Sequence, residues 1–200
     1  MLLSPNTPML FQGQEFASSS PFLYFADHTE ELASLVEDGR ADFLRQFPSI
    51  AHCRTQFAAG APHEKITFEK CKLDHSERRM NGHFLALHKD LLKLRRDDPV
   101  FHAQRADWIQ GAVIGTEAFV LRFFGGAHGD RLIVVNFGRD LNLRPAPEPL
   151  LAPPPGAFWE MLWSSEDPRY GGSGRPPVRR SGIWNITGHS AMVLHERTND

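Results

Sequence analysis

The chain has 200 residues, of which 41% are hydrophobic and 23% charged, a composition typical of a globular protein of one medium domain or a small domain plus part of another. Its net charge of −2 provides no basic field for a nucleic acid or an anionic membrane, which excludes both as expected partners. Two cysteines, no signal-peptide pattern and no apolar run of about 20 residues predict a cytoplasmic protein without a disulfide framework.

The first half of the chain predicts one short strand followed by a loop and a helix. Residues 7–12 form an apolar run closed by a glycine, which is typical of a buried strand. Residues 14–28 predict a loop, because serines and a proline interrupt any periodicity. A helix follows, with Asp27 or Thr29 as its candidate N-terminal cap and Gly39 as its candidate end or a bend.

Two further helical segments are predicted before residue 100. A short piece around residues 43–47 is expected to end at Pro48, and residues 48–78 are polar and predicted to be irregular. In residues 80–96 apolar side chains recur every three or four positions, which predicts a long amphipathic helix. Its expected end is the Asp-Asp-Pro sequence that closes at Pro99.

The second half of the chain predicts β structure. Short β-branched or aromatic segments separated by Gly or Pro predict strands at residues 119–124, 131–137, 157–163 and 191–195. The glycine-rich residues 125–130 predict a hairpin loop between the first two of these strands. Together they predict an antiparallel β-sandwich with a boundary near residue 103. We interpret Trp159, Trp163 and Trp184 as core or edge residues of this sandwich, with a starch-binding role as the alternative.

Several blocks of the sequence resemble those of a known enzyme family. Residues 3–15, which run from Leu-Ser-Pro-Asn to Gly-Gln-Glu, resemble the last barrel strand of glycoside hydrolases of the α-amylase superfamily. Other blocks resemble malto-oligosyltrehalose trehalohydrolases: Pro-Phe-Leu-Tyr-Phe-Ala-Asp-His at 21–28, and residues 36–40, 67–74, 91–99 and 170–172. The family usually has a serine at the position of Cys71 and a tryptophan at that of His75.

The resemblance implies both a fold and a reaction. Residues 1–103 would be the C-terminal remnant of a (β/α)8 catalytic barrel with its last strand and helices, and residues 104–200 an antiparallel β-sandwich, an α+β arrangement. The implied reaction hydrolyses the α-1,4 bond next to a terminal trehalose unit and releases trehalose. A retaining mechanism needs two carboxyl groups about 5 Å apart, and the family's catalytic carboxylates would lie before residue 1. We therefore assign no catalytic residue, metal or cofactor, and expect this chain alone to be inactive.

The end of the predicted strand and the loop behind it supply candidate substrate-binding residues. Barrel enzymes place their working groups at the carboxyl ends of the strands. The candidate rim consists of Gln12, Glu15, Phe25, Asp27 and His28. The alternative interpretation is structural, with Glu15 holding a neighbouring barrel residue and Asp27 capping a helix. Likewise, Phe22, Tyr24 and Phe25 would either stack on sugar rings or form a small core of their own.

Two other functions remain open at the level of the sequence. One is a non-catalytic module that binds an α-glucan or another protein. The other is a half-enzyme, completed by a separate chain that carries the N-terminal barrel portion, because an unpaired apolar strand at residues 7–12 would invite a partner. The expected ligands are an α-glucan or malto-oligosyltrehalose. The histidines show no spacing typical of a helical zinc site.

Overall fold

The computed structural model describes residues 1–47, 61–174, 179–180 and 183–198. Contacts divide the chain into two compact units. Residues 1–16 and 81–200 form the first, here called the sheet unit, and residues 17–80 form the second, the helical unit. The boundary predicted near residue 103, between a barrel remnant and the β-sandwich, is a different division of the chain and stays a prediction.

The described helices agree in part with those predicted. They are α1 (Glu30–Arg45), α2 (Lys65–Cys71), α3 (Glu77–Met80), α4 (Gly82–Asp97) and α5 (Pro99–His102). The helix predicted at 80–96 is confirmed as α4. The predicted stop at Gly39 is wrong, because α1 continues through it. An interior glycine costs about 1 kcal/mol relative to alanine but leaves the helical hydrogen bonds intact.

The segment predicted to be irregular contains helix. Residues 65–71 form α2, and α3 begins at Glu77, so the prediction for residues 48–78 is wrong in these places. Residues 48–60 lie outside the described residues. None of the described helices combines the length and the apolar character that crossing a membrane requires.

All described strands pair in an antiparallel manner. They are β1 (Ile109–Gly115), β2 (Ala118–Phe123), β3 (Arg131–Asn136), β4 (Leu141–Leu143), β5 (Ala157–Ser164), β6 (Arg179–Arg180), β7 (Ile183–Ile186) and β8 (Ser190–Thr198). A large sheet has the order β1-β2-β3-β8-β5, and a small sheet has the order β4-β7-β6. The four predicted strands are confirmed as β2, β3, β5 and β8, and the remaining strands were not predicted.

The two sheets enclose one apolar core, which confirms the predicted β-sandwich. Val120, Leu132 and Leu194 are fully buried on one face of the large sheet. Trp184 and Ile186 of the small sheet belong to the same cluster. Trp159 is 1% exposed and donates its indole N–H to the carbonyl of Leu151 at 2.9 Å, so its predicted place in the core is also confirmed.

The opposite face of the large sheet is covered by helix. Phe123 and Val193 pack there with Val100 and Phe101 of α5 and with Leu94 of α4. This follows from the alternation of side chains along a strand, since neighbouring positions face opposite sides. The large sheet is therefore the middle layer of three.

One ion pair links the end of α4 to the large sheet. The guanidinium Nε of Arg131 donates to Asp98 at 2.8 Å, and both side chains are 8% exposed. The other carboxylate oxygen of Asp98 accepts the backbone N–H groups of Val100 and Phe101, which caps α5. Asp98 thus serves at once as the helix cap and as the buried partner of Arg131.

The strand predicted at residues 7–12 is wrong. These residues have no strand assignment, and Met9 and Phe11 are 79% and 60% exposed. A strand requires a hydrogen-bonded neighbour, and every strand pairing among the described residues lies within the two sheets. The preceding segment is instead held by Arg95, whose guanidinium donates to the carbonyls of Leu2 at 3.0 Å and Asn6 at 2.9 Å.

Candidate functional site

The predicted rim residues are divided between the two compact units. Gln12 and Glu15 belong to the sheet unit, whereas Phe25, Asp27 and His28 belong to the helical unit. That all five residues form a common rim stays a prediction.

The pair in the sheet unit sits on a tight turn. Gly13 has a φ of 83°, and residues Gln14–Phe16 form a short 3-10 helix behind it. The backbone N–H of Gln14 donates to the carbonyl of Phe11 at 3.1 Å. Gln12 is exposed and Glu15 half-buried on this turn. The turn therefore leaves the amide of Gln12 accessible to a ligand.

The aromatic loop of the helical unit is packed against helix. The rings of Phe25 and Phe68 lie 5.2 Å apart between centroids, and the guanidinium of Arg40 lies 4.4 Å from the centre of the Tyr24 ring. These contacts favour the interpretation that Tyr24 and Phe25 form a small core of the loop. Phe22 is 69% exposed.

A thiol and a backbone bond anchor this loop. The Sγ of Cys71 accepts the N–H of Leu23 at 3.4 Å and lies 3.7 Å from the carbonyl of Leu23, to which it donates. The N–H of Ala26 donates to the carbonyl of Pro62 at 3.0 Å. A serine hydroxyl offers the same donor and acceptor, so the serine implied by the resemblance could make the same two contacts.

Asp27 does not cap α1. The cap position belongs to Thr29, whose carbonyl accepts the N–H of Ala33 at 2.8 Å, and Asp27 is an exposed residue two positions earlier. The structural interpretation of Asp27 as a cap is therefore wrong. His28, beside it, is half-buried.

Sequence reasoning missed the carboxylate at the base of the loop. Glu77 is 8% exposed and accepts both the N–H of Ser19 at 3.0 Å and its hydroxyl at 2.5 Å. The hydrogen bond from the Ser19 hydroxyl lowers the pKa of the Glu77 carboxyl, with help from the Ser19 N–H. Glu77 is thereby held as a carboxylate that fixes the loop. The serine-rich run at 18–20 was the only signal for it in the sequence.

The described carboxylates suit binding better than proton transfer. Buried Glu77 and Asp130 accept hydrogen bonds from the protein backbone, and Asp98 caps a helix. Asp27 is exposed and Glu15 half-buried in the other unit. Among the residues that the structure describes, no group of three or more His, Cys, Asp and Glu side chains is arranged to hold a metal ion.

Comparison with known proteins identifies the relatives. A domain family described as a domain of unknown function, DUF3459, matches residues 106–184, which cover much of the β-sandwich. Malto-oligosyltrehalose trehalohydrolase from Deinococcus radiodurans is 37% identical over 141 residues, covering 70% of this chain and 22% of the relative. The enzyme of the same name from a Rhizobium species is 32% identical over 157 residues, covering 76% of this chain and 25% of the relative.

The fold is shared with a solved structure described as "Putative alpha Amylase" from Salmonella typhimurium. The TM-score is 0.67 at 24% sequence identity, and the match covers 97% of this chain and 29% of that one. The chain thus spans about a quarter of the length of the curated relatives described above. By these matches, the chain is a homologue, over about a quarter of their length, of proteins named malto-oligosyltrehalose trehalohydrolase.

Proposed function

We propose that this chain is the C-terminal part of a cytoplasmic glycoside hydrolase that releases trehalose from malto-oligosyltrehalose. The observation that carries the proposal is the 37% identity over 141 residues to a relative of that name. In this proposal the residues up to about 103 are the last part of a (β/α)8 barrel, and the β-sandwich follows them. The fold shared with the Salmonella protein over 97% of the chain supports it.

We also propose that the 200 residues alone do not hydrolyse the substrate. Retaining hydrolysis requires a nucleophile and an acid/base carboxyl about 5–5.5 Å apart in one preorganised pocket. Buried Glu77, Asp98 and Asp130 are already bonded to backbone donors of the fold. The catalytic pair would come from barrel residues outside this sequence.

Within the complete enzyme, the proposed role of this part is to hold the glucan. Gln12 and Asp27 are exposed, and they offer an amide and a carboxylate to sugar hydroxyls. Glu15, Phe25 and His28 would complete the rim. A rim that combines an aromatic ring with polar groups suits a pyranose, which has apolar C–H faces and a hydroxyl edge.

A second candidate function is a half-enzyme, in which a separate polypeptide supplies the remaining barrel. The helical unit favours it, because it leaves large apolar side chains in solvent. Leu35, Phe43 and Met80 are 69%, 56% and 69% exposed, and such surface commonly marks an interaction site.

Trehalose release from malto-oligosyltrehalose tests both candidates. We expect no release by the purified chain. Joining the chain to the remaining part of the Deinococcus relative, as one polypeptide, should restore release. Restoration with the two parts as separate co-expressed polypeptides would support the half-enzyme. A folded joined protein that cleaves ordinary malto-oligosaccharides but releases no trehalose would contradict the proposed substrate.

The binding role is tested in the joined protein with Asp27→Ala, using Asp38→Ala as the control. Both residues are exposed and lie in the helical unit, but only Asp27 belongs to the proposed rim. We expect Asp27→Ala to raise KM by about tenfold, a free-energy cost of about 1.4 kcal/mol. Equal KM values for the two variants would contradict the role of Asp27.

A further inference from the structure

An open cleft on the sheet unit carries a second group of aromatic and charged residues. It has a volume of about 100 Å³ and lies between α5 and the β2–β3 hairpin. The lining residues that matter here are Arg105, Trp108, Phe124 and His128, with Ala103 at the cleft beside α5. Neither the family match nor the predicted rim assigns a role to it.

The aromatic element of the cleft is held rigidly. The carbonyl of Trp108 accepts the N–H of Phe124 at 2.9 Å, which extends the pairing of β1 with β2. The indole is nevertheless 43% exposed, unlike the buried Trp159 and Trp184. A Cβ built at Gly126 would lie in ordinary contact with the ring, 3.7 Å from Cζ3 of Trp108, so the hairpin backbone lies close beside the indole.

The polar element is a charged pair at the same ring. The guanidinium of Arg105 lies 4.4 Å from the centre of the Trp108 ring and donates to Asp107 at 3.0 Å and 2.7 Å. These bonds lower the pKa of the Asp107 carboxyl. His128 adds an exposed imidazole. Arg105 lies over one face of the ring and is held by Asp107, so the cleft presents a partly exposed aromatic ring beside an oriented guanidinium and an imidazole.

We propose that the Trp108 cleft binds a glucosyl unit of an α-1,4-glucan. The exposed part of the ring and the apolar lining at Phe124 match the C–H face of a pyranose, and Arg105 and His128, which also line the cleft, match its hydroxyls. Pockets that combine an apolar lining with a few placed polar groups are the usual form of small-molecule sites. The choice of an α-linked glucan rests on the proposed function, whereas the pyranose chemistry rests on the cleft.

The test is titration of the full 200-residue chain with maltoheptaose, followed by NMR of the tryptophan indole N–H signals. Trp108→Phe identifies the signal of Trp108. We expect that signal to shift saturably. Isothermal titration calorimetry with maltoheptaose, which does not need the Trp108 signal, should show that Trp108→Ala weakens binding by about tenfold. Phe137→Ala, which removes a 64% exposed ring outside the cleft lining, should bind as the wild type does.

A second variant and a second sugar keep the test decisive. Ala103→Glu narrows the cleft from an exposed position and should also abolish the shift, even if Trp108→Ala fails to fold. Unchanged binding in a folded Trp108→Ala or Ala103→Glu variant, or no shift in the wild type, would overturn the proposal. Equal binding of cellohexaose would overturn the α-glucan assignment.

The outcome is separable from that of the proposed function. If the joined enzyme releases trehalose but maltoheptaose does not shift Trp108, only the cleft proposal is wrong. If maltoheptaose binds at Trp108 but the joined enzyme releases no trehalose, the proposed reaction is wrong and the chain is a glucan-binding module.

Discussion

The two units of the chain bury their apolar residues to very different extents. The sheet unit encloses one core between its sheets and another between the large sheet and helix. In the described part of the helical unit, Ala33 is the one apolar residue counted as buried, while Leu35 and Phe43 stay exposed. Paired strands thus provide a self-sufficient core, whereas the helices depend on short polar and aromatic contacts. We expect the stability of the chain to reside mainly in the sheet unit.

The largest expected effect is the loss of Asp98. Asp98→Ala leaves the buried guanidinium of Arg131 without its carboxylate and removes the cap of α5, so the free energy of unfolding should fall by about 3–5 kcal/mol. All four tryptophans lie in the sheet unit, so urea denaturation followed by tryptophan fluorescence reports on this unit. Asp107→Ala removes an exposed pair and should lower the free energy of unfolding far less. Equal losses of unfolding free energy in the two variants would show that burial does not determine how much an ion pair stabilises the fold.

Matched leucines test the comparison of the units directly. Leu132→Ala removes a fully buried side chain of β3 and should cost about 2–5 kcal/mol. Leu35→Ala removes a side chain of α1 that is 69% exposed and should change stability by no more than about 0.5 kcal/mol. Circular dichroism during urea denaturation follows both. A comparable loss in Leu35→Ala would mean that the helical unit has a core of its own.

A smaller effect is expected where α4 meets the loop after β5. The hydroxyl of Tyr170 donates to Asp90 at 2.5 Å and accepts the indole N–H of Trp163 at 3.2 Å. Tyr170→Phe should lower the free energy of unfolding by about 1–2 kcal/mol, since bonds to charged groups are worth more than neutral ones. The same denaturation experiment measures it. No change in Tyr170→Phe would mean that water replaces both bonds without loss.

The smallest effect is a pH dependence in the helical unit. The pKa of Glu77 is lowered from its ordinary value of 4.5, chiefly by the Ser19 hydroxyl. The stability that ionised Glu77 contributes to the helical unit is therefore fully present above about pH 4.5. It is lost as the pH falls through the lowered pKa of Glu77. Helical circular dichroism should fall over this range in the wild type. Ser19→Ala and Glu77→Gln should both flatten the change, and an unaltered profile in both would contradict the role of Glu77.

The sequence predicts strands where the local signal is strong and misses them where glycines interrupt the run or the strand is very short. The β-branched run at β3 and the aromatic run at β5 were recognised, whereas β1 was missed because glycines interrupt it. At one of them, Gly111, a Cβ would come within 2.8 Å of Cδ2 of Leu121, so a larger residue there would have to displace the end of that side chain. β7 was missed because it has only four residues and pairs with the distant β4.

The candidate site shows the same limit. The block at residues 21–28 was found by resemblance, but its anchors at Cys71 and Glu77 were not, because they lie about 50 residues away in the chain. The error at residues 7–12 has a related cause. An apolar run indicates a strand only where a neighbouring strand is available, and the run itself does not carry that information.

The helical layer on the large sheet has a consequence for how such proteins exchange parts during evolution. Phe123 and Val193 would face water if the sandwich were transferred without Val100 and Phe101. Recombination between related proteins at a point after residue 103 would thus break a packed interface. A recombinant that inherits the sandwich must also inherit the preceding helix.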